Sequence, residues 1–108
     1  MNAESFALAE IERAHAQRGD LWHEFLRVSD LSVGLYVIPA GGTDPQSPHG
    51  EVEVYYVISG KGTLRAGDKE FPAESGSVLY VAKHVPHEFH DITEDLRVLV
   101  FFAPAHTG

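Results

Sequence analysis

The sequence predicts an all-β sandwich or barrel with a single helix at its N-terminus. From Leu21 onward, short runs rich in β-branched and aromatic residues alternate with Gly, Pro and Asp. Before that point, Phe6, Leu8 and Ile11 form an apolar stripe with helical spacing, and Gly19 offers a C-terminal stop. We therefore predict a helix over residues 5–17 and β-structure after it.

The strands are predicted from period-two runs that end at turn-forming residues. They lie near residues 24–28, 32–38, 52–59, 62–66, 78–81, 87–90 and 96–102. The predicted turns are PAGGTDPQSP at 39–48, SGKG at 59–62, AGDK at 66–69 and AESG at 73–76. Because no linker or low-complexity segment interrupts this pattern, we expect one domain over 1–108, with a helical segment at 1–20 and a barrel at 21–104.

Composition and charge limit the possible partners and ligands. The 108 residues are 44% hydrophobic and 22% charged, and cysteine is absent, so any metal must rest on His and carboxylate ligands. A formal net charge of −8 disfavours nucleic acid and anionic membranes as partners. No apolar run approaches the roughly 18 residues of a membrane span. The acidic start lacks the basic region of a signal peptide, so we expect a cytoplasmic protein.

One predicted strand carries a carboxylate on a face that continues with an aromatic residue, which is unusual for a face exposed to solvent. After His49, the face that begins with Glu53 continues with Tyr55, whereas the opposite face is apolar with Val54, Tyr56 and Ile58. Four extended residues span roughly 13 Å, so His49 and Glu53 can share an ion only if the chain bends between them. Gly50 gives the backbone the freedom for that bend. The alternative interpretation of Glu53 is a surface carboxylate on an edge strand.

A second candidate ligand lies in the histidine-rich segment KHVPHEFHD at 83–91. His87 faces the same side as Phe89 and Asp91, whereas His90 faces the opposite side and His84 lies in the preceding loop. His87 is therefore the best inward candidate. The alternative interpretation is that His49 and His87 are hydrogen-bonded turn histidines in a barrel that has lost its metal.

The spacing of these residues resembles the two motifs of the cupin superfamily. The first motif, G-x5-H-x-H-x3-4-E-x6-G, is matched by Gly41, His49, Glu53 and Gly60, with Ser47 in place of its first histidine. The second motif, G-x5-P-x-G-x2-H-x3-N, keeps its spacing, and Gly76 and His87 match it, whereas Ala82, His84 and Asp91 replace its Pro, Gly and Asn. The resemblance covers about residues 31–104 and includes the intervening run YYVISGKGTLRAGDKEF.

The resemblance implies a jelly-roll barrel that holds one divalent metal inside. By residue-to-residue transfer, His49, Glu53 and His87 would be the ligands, and Ser47 would leave the family's fourth position unfilled. Two histidines and one carboxylate with open positions form the ligand set of non-heme Fe(II) oxygenases. The same set serves catalytic zinc, and Mn and Ni remain alternatives.

These residues favour a metal-dependent enzyme, dioxygenase-like, that acts on a small organic molecule in the barrel. Tyr55 or Glu51 would orient the substrate or move a proton. Glu51 has two alternative roles, as a further metal ligand and as a solvated acid. The alternative functions are a non-catalytic sensor or small-ligand-binding cupin and a metal-dependent isomerase or cyclase.

We also expect a homodimer from the sequence. The outward row of the candidate strand is wholly apolar, and the last predicted strand, LRVLVFF, is apolar on both faces beyond Arg97. One helix can cover only part of one sheet, so a second copy would bury the remainder by two-fold symmetry. The resemblance to cupins, which are commonly dimers, supports the same expectation.

Overall fold

The computed structural model describes residues 3–45 and 49–107, so Ser47 lies outside the described residues. Within them, one helix, α1 (Leu8–Arg18), precedes six strands. The strands are β1 (Trp22–Val28), β2 (Leu31–Ile38), β3 (Val52–Ala66), β4 (Lys69–Glu74), β5 (Val78–Val81) and β6 (His87–Ala103). The strands pair antiparallel in the order β1-β2-β6-β3-β4, and β5 pairs with β3. The prediction of an all-β fold with one short N-terminal helix is confirmed.

The two longest strands each contain two of the predicted strands. β3 pairs with β6 along its length, and the register between them shifts at three successive points between Val57 and Thr63. The prediction of a turn at residues 59–62 is therefore wrong, because this segment continues as a bulged strand. Gly60, with φ 105°, lets the strand bend there without reversing. The first half of β3 also pairs with β5, and its second half pairs with β4.

The sequence pattern did not predict β4. This strand lies at the edge of the sheet and is almost wholly exposed, so it has no alternation of apolar and polar residues to mark it. Pro72 lies within it. Proline cannot donate a ladder hydrogen bond, and an edge strand tolerates this because it has no partner strand on one side. The turn predicted at residues 66–69 is confirmed between β3 and β4.

The barrel interior is built from the inward faces predicted for β3 and β6. Tyr55 and Val57 are buried, whereas Tyr56 between them is 42% exposed, which confirms the predicted alternation. These side chains join a hydrophobic core from five strands that includes Ile38, Leu64, Phe89, Leu96 and Val98. Glu53 shares this inward face at 1% exposure, so a carboxylate lies inside the barrel.

The helix covers part of the outer surface of the sheet. α1 packs across β1 and β2 and buries Ile11, and Val33 and Leu35 of β2 are also buried. Farther along the same sheet, four apolar side chains of β3 and β5 are exposed or, in the case of Val54, half-buried. We call this area the β3–β5 patch; it consists of Val54, Tyr56, Val78 and Tyr80, paired across the two strands.

Candidate metal centre

His49, Glu53 and His87 converge inside the barrel. His87 opens β6, Glu53 lies on the inward face of β3, and His49 precedes that strand by three residues. Glu53 Oε1 lies 3.0 Å from His87 Nε2 and 3.6 Å from His49 Nε2. Ligand atoms that stand about 2.0–2.2 Å from one ion lie roughly 3–4 Å from each other, so these distances suit a divalent metal.

The two loops that carry the histidines are joined by their backbones. The chain bends at Gly50, as the sequence requires, and the amide of His84 donates a hydrogen bond of 2.6 Å to the carbonyl of His49. This bond ties the segment before β3 to the loop before β6. It therefore holds His49 and His87 on the same side of Glu53, although they are 38 positions apart in the chain.

The ring of His87 is oriented by a second contact. Its Nδ1 lies 2.8 Å from the carbonyl oxygen of Val85. Because a carbonyl can only accept, Nδ1 donates there, and Nε2 faces Glu53. A hydrogen bond from the distal ring nitrogen to a carbonyl is a common means of orienting metal-binding histidines.

The second oxygen of Glu53 supports a cation at this place. Glu53 Oε2 is buried and has no hydrogen-bond partner among residues 3–45 and 49–107. A buried polar atom without a partner costs about 1–3 kcal/mol, so such atoms are rare unless they have a role. A divalent ion bound here would satisfy this oxygen, and the three residues therefore fit a metal.

The two histidines have pKa values shifted in opposite directions. Burial lowers the pKa of His49, and the nearby Glu53 carboxylate offsets only part of that change. Burial is the largest single influence on His87 and acts to lower its pKa, but the hydrogen bonds with Glu53 and Val85 and the negative charges of Glu53 and Asp44 together outweigh it and raise the pKa above the ordinary imidazole value. Without metal, His87 therefore tends to hold a proton against Glu53, while His49 tends to be neutral.

We expect metal uptake near neutral pH to release a proton, because the ion must displace the one shared by His87 and Glu53. Affinity should fall as pH decreases, and the fall should begin above the ordinary imidazole range since the pKa of His87 is raised. Calorimetric titration with Zn²⁺ in two buffers of different ionisation enthalpy measures the number of protons released. Equal binding enthalpies in both buffers would contradict this expectation.

A cavity of about 590 Å³ opens beside the three ligands. Its wall includes Trp22, Tyr36, His49, Glu51, Phe102 and His106. Its volume lies in the range of small-molecule sites, roughly 300–1,000 Å³. The indole of Trp22 lies directly on Gly34 of β2, where an added Cβ would stand 2.2 Å from the ring. Of His49, Glu53 and His87, only His49 lines this cavity.

Glu51 and Tyr55, the two predicted catalytic residues, have different surroundings. Glu51 lines the cavity; its Oε1 lies 2.8 Å from His106 Nδ1, and its Oε2 accepts a hydrogen bond of 3.1 Å from the Thr107 hydroxyl. Burial is the largest single influence and acts to raise the pKa of Glu51, but these two hydrogen bonds together with the nearby imidazoles of His106 and His49 outweigh it and hold the pKa below its ordinary value. Tyr55 is 1% exposed and packs behind the cavity against His87, with ring centroids 6.2 Å apart.

Sequence reasoning missed His106, which lies beyond the last strand. Its ring stacks on Phe102 at 4.3 Å, and its backbone amide donates to the hydroxyl of Ser32 at 2.9 Å. No periodic pattern marks a histidine in a C-terminal tail. The one indication was indirect: the last strand had to end near the strand that carries Glu53, so the residues that follow it would lie near the candidate site. The structure shows this pairing between Glu53 and Phe102.

The other residues of the histidine-rich segment lie outside the centre. His90 faces away, as predicted, and its Nε2 lies 2.7 Å from Glu70. The prediction that Asp91 faces inward with His87 is wrong, because Asp91 is exposed and its φ of 50° interrupts the alternation. Sequence reasoning also missed Asp44, a buried carboxylate that accepts hydrogen bonds from the hydroxyl of Tyr36 and the amide of Phe89.

Comparison with known proteins agrees with this architecture. A family model described as the cupin domain matches residues 34–102. An uncharacterized protein of Streptomyces coelicolor is 46% identical over 100 residues, which cover 93% of this chain and 95% of that protein.

Solved structures show the same fold. A protein of Thermus thermophilus superposes with a TM-score of 0.77 at 20% identity, covering 95% of this chain and 99% of that one. A cupin of Methanocaldococcus jannaschii with a double-stranded β-helix fold gives a TM-score of 0.70 at 21% identity, covering 77% and 78%. The expected jelly-roll barrel is therefore confirmed. Among the described residues, no helix is long and apolar enough to cross a membrane.

Proposed function

This chain belongs to the cupin family, and from that premise we propose that it is a metal-dependent enzyme acting on a small organic molecule, with dioxygenase chemistry as the first candidate. The observation that carries the proposal is the convergence of His49 and His87 on one oxygen of the buried Glu53 carboxylate, whose other oxygen has no hydrogen-bond partner among the described residues, beside a cavity. Two histidines and one carboxylate leave coordination positions open for a substrate.

The cofactor would be one divalent ion, Fe, Mn, Ni or Zn. When bound, it would supply Lewis acidity and, in the case of iron, the redox chemistry that O₂ requires. The aromatic wall formed by Trp22 and Phe102 would hold the apolar part of a substrate and exclude water from the open side of His49.

We assign different roles to the two other proposed residues. Glu51 lines the cavity and would orient a polar group of the substrate. Tyr55 is buried between His87 and Phe89, so we propose that it positions the His87 ring by packing against it. Tyr55 would then influence the reaction through the metal ligand.

The test combines metal analysis with an activity screen. Protein purified without a chelating tag is analysed for metals, loaded with Fe²⁺, and tested for O₂ consumption with diketones, catechols and thiols. A matched Glu53→Gln variant keeps the size of the side chain and removes its charge. The proposal predicts O₂ consumption by the wild type and none by the variant. Protein that binds none of Fe, Mn, Ni or Zn would exclude it.

A specific observation favours the alternative of a non-catalytic small-ligand-binding cupin. Both oxygens of Glu51, an acid that lines the cavity, are engaged in contacts with His106 and Thr107 of the C-terminal tail. A metal-dependent isomerase or cyclase would need that acid for proton transfer. Binding of a substrate-sized ligand to the loaded protein without any turnover would favour the binding function.

We further propose that the protein is a homodimer joined through the β3–β5 patch. Val78 and Tyr80 are 68% and 63% exposed, and Tyr56 beside them is 42% exposed. Large apolar side chains that form one contiguous exposed cluster are uncommon on the surface of a monomer. No charged residue lies among the four members of the patch, so its burial against a second copy would desolvate no charge.

We expect Tyr80→Glu to produce a monomer, because the substitution would place a charge within the proposed apolar contact. Light scattering at micromolar concentration measures the mass of the wild type and of the variant. Phe71→Glu is the matched control, since Phe71 is 38% exposed on β4, outside the patch, and should leave the dimer intact. A wild type with the mass of one chain would contradict the proposal.

A further inference from the structure

The residues near the metal centre lie at two depths. The side chains of Glu53 and His87 are each 1% exposed, whereas those of His49 and His106 are 13% and 17% exposed. His49, Glu51 and His106 line the cavity, and Glu53 and His87 are not among its lining residues. An ion that enters from the cavity therefore reaches His49 in the company of Glu51 and His106 before it reaches the buried pair.

The three cavity-lining residues have ligand geometry of their own. One ligand atom from each of His49, Glu51 and His106 lies within 4.8 Å of the others. Glu51 Oε1 and His106 Nδ1 are 2.8 Å apart, close to the separation of roughly 3 Å between neighbouring ligands of one ion. The rings of His49 and His106 are 4.8 Å apart between centroids and nearly perpendicular, at 87°. Glu51 and His106 could thus take an ion with little movement.

The C-terminal tail that carries His106 is fixed to the barrel. Ser32 accepts a hydrogen bond from its amide, Arg27 donates to its carbonyl oxygen, and Phe102 stacks on its ring. These contacts come from β1, β2 and β6, so the imidazole is placed by three strands. A histidine held in this way is preorganised to bind, because little conformational freedom is lost when it does.

We propose that His49, Glu51 and His106 form a second divalent transition-metal site, the outer site, which takes the ion first and passes it to Glu53 and His87. The proposal rests on the proposed function, since it treats His49, Glu53 and His87 as the final site. His49 is shared, so the two sites hold one ion between them. Two imidazoles and one carboxylate match the ligands preferred by Zn²⁺, Fe²⁺ and Co²⁺.

The outer site makes a kinetic prediction that differs from that of a structural contact. An intermediate binding site on the entry route raises the rate constants of metal uptake and of metal release by the same factor. Its loss therefore slows both steps and leaves the dissociation constant unchanged. If Glu51 and His106 serve only to clamp the tail, then breaking the clamp by any substitution should have the same effect. Thr107→Val separates these cases, because it removes a hydrogen bond to Glu51 and leaves both ligands in place.

The first experiment follows Co²⁺ uptake by stopped-flow absorbance and Co²⁺ release into excess chelator. In Glu51→Gln and in His106→Phe, which retains a ring to stack on Phe102, we expect both rates to fall about tenfold or more with the dissociation constant unchanged. Thr107→Val should behave as the wild type. Wild-type rates in the two ligand variants would overturn the proposal, as would an equal slowing in Thr107→Val. Weaker binding in His106→Phe at an unchanged uptake rate would also overturn it, by placing His106 in the final site.

The second experiment observes the outer site directly. Glu53→Gln, checked for folding by circular dichroism, should retain weak Co²⁺ binding, and the double variant Glu53→Gln/His106→Phe should lose it. Residual binding that survives in the double variant, or no residual binding in Glu53→Gln, would overturn the outer site. A wild type that binds no Co²⁺ would overturn the proposed function as well, whereas tight wild-type binding with unaltered kinetics in both ligand variants would overturn this inference alone.

Discussion

His87→Ala is expected to lower the affinity of the protein for divalent metal by more than about 100-fold, because a direct ligand should cost more than the roughly 10–100-fold typical of residues that only orient ligands. The loss should be large at this position since His87 and Glu53 are the two most buried members of the set. His49→Ala should lower affinity in the same direction. Titration calorimetry with Zn²⁺ and elemental analysis of the purified variants measure the effect.

The matched control is His90→Ala, three residues farther along β6. Its imidazole lies 2.7 Å from Glu70 on the opposite side of the strand, so its removal should leave metal affinity unchanged. Circular dichroism of each variant establishes that it is folded. Loss of metal in His90→Ala together with retention in His87→Ala would refute the assignment of the inward face of β6.

The inward placement of the candidate ligands could be predicted because strand geometry is local. Side chains alternate between faces with a period of two, so the apolar row containing Tyr56 placed Glu53 and Tyr55 on the opposite side. The structure bears this out, with Glu53 and Tyr55 each 1% exposed. The same argument placed His87 and His90 on different faces. Alternation predicts which side chains face inward but not which of them lie close together. The spacing of the two motifs supplied that second prediction, for His49, Glu53 and His87.

The lengths of the strands could not be predicted from the same pattern. Glycine with positive φ occurs both in tight turns and in bulges, and the segment SGKG has the composition of either. Pairing with β6 decides the outcome here, and that pairing is formed by residues more than 30 positions away, such as Arg97 opposite Ser59. Local sequence carries no information about which partner strand is available.

The contribution of His106 was hidden for a related reason. Its position depends on where the chain lies after β6 and on contacts with Arg27 and Ser32, which lie 79 and 74 positions earlier in the chain. A tail histidine has no period that would reveal its face. Only the assembled mouth of the barrel brings it beside Glu51.

Gly60→Ala is expected to destabilise the fold by at least about 3 kcal/mol, which combines backbone strain with a steric clash. Gly60 has φ 105°, a conformation that side chains rarely adopt. An added Cβ would also stand 2.2 Å from the carbonyl oxygen of Asp95 and 2.7 Å from Cα of Leu96, both on β6. The neighbouring backbone belongs to a paired strand and cannot move aside as the end of a flexible side chain could. Urea unfolding followed by circular dichroism measures the change.

Gly76→Ala is the matched control, because it separates the clash from the strain. Gly76 also has positive φ, 89°, but no atom lies within 4 Å of an added Cβ, so only a strain of about 1–2 kcal/mol should appear. The difference between the two variants therefore measures how closely β3 approaches β6 at the bulge. Gly60 contacts none of His49, Glu53 and His87, so folded Gly60→Ala protein should bind metal with wild-type affinity. Equal destabilisation by the two substitutions would show that β6 yields at Asp95, and that the bend in β3 does not depend on a glycine-sized contact.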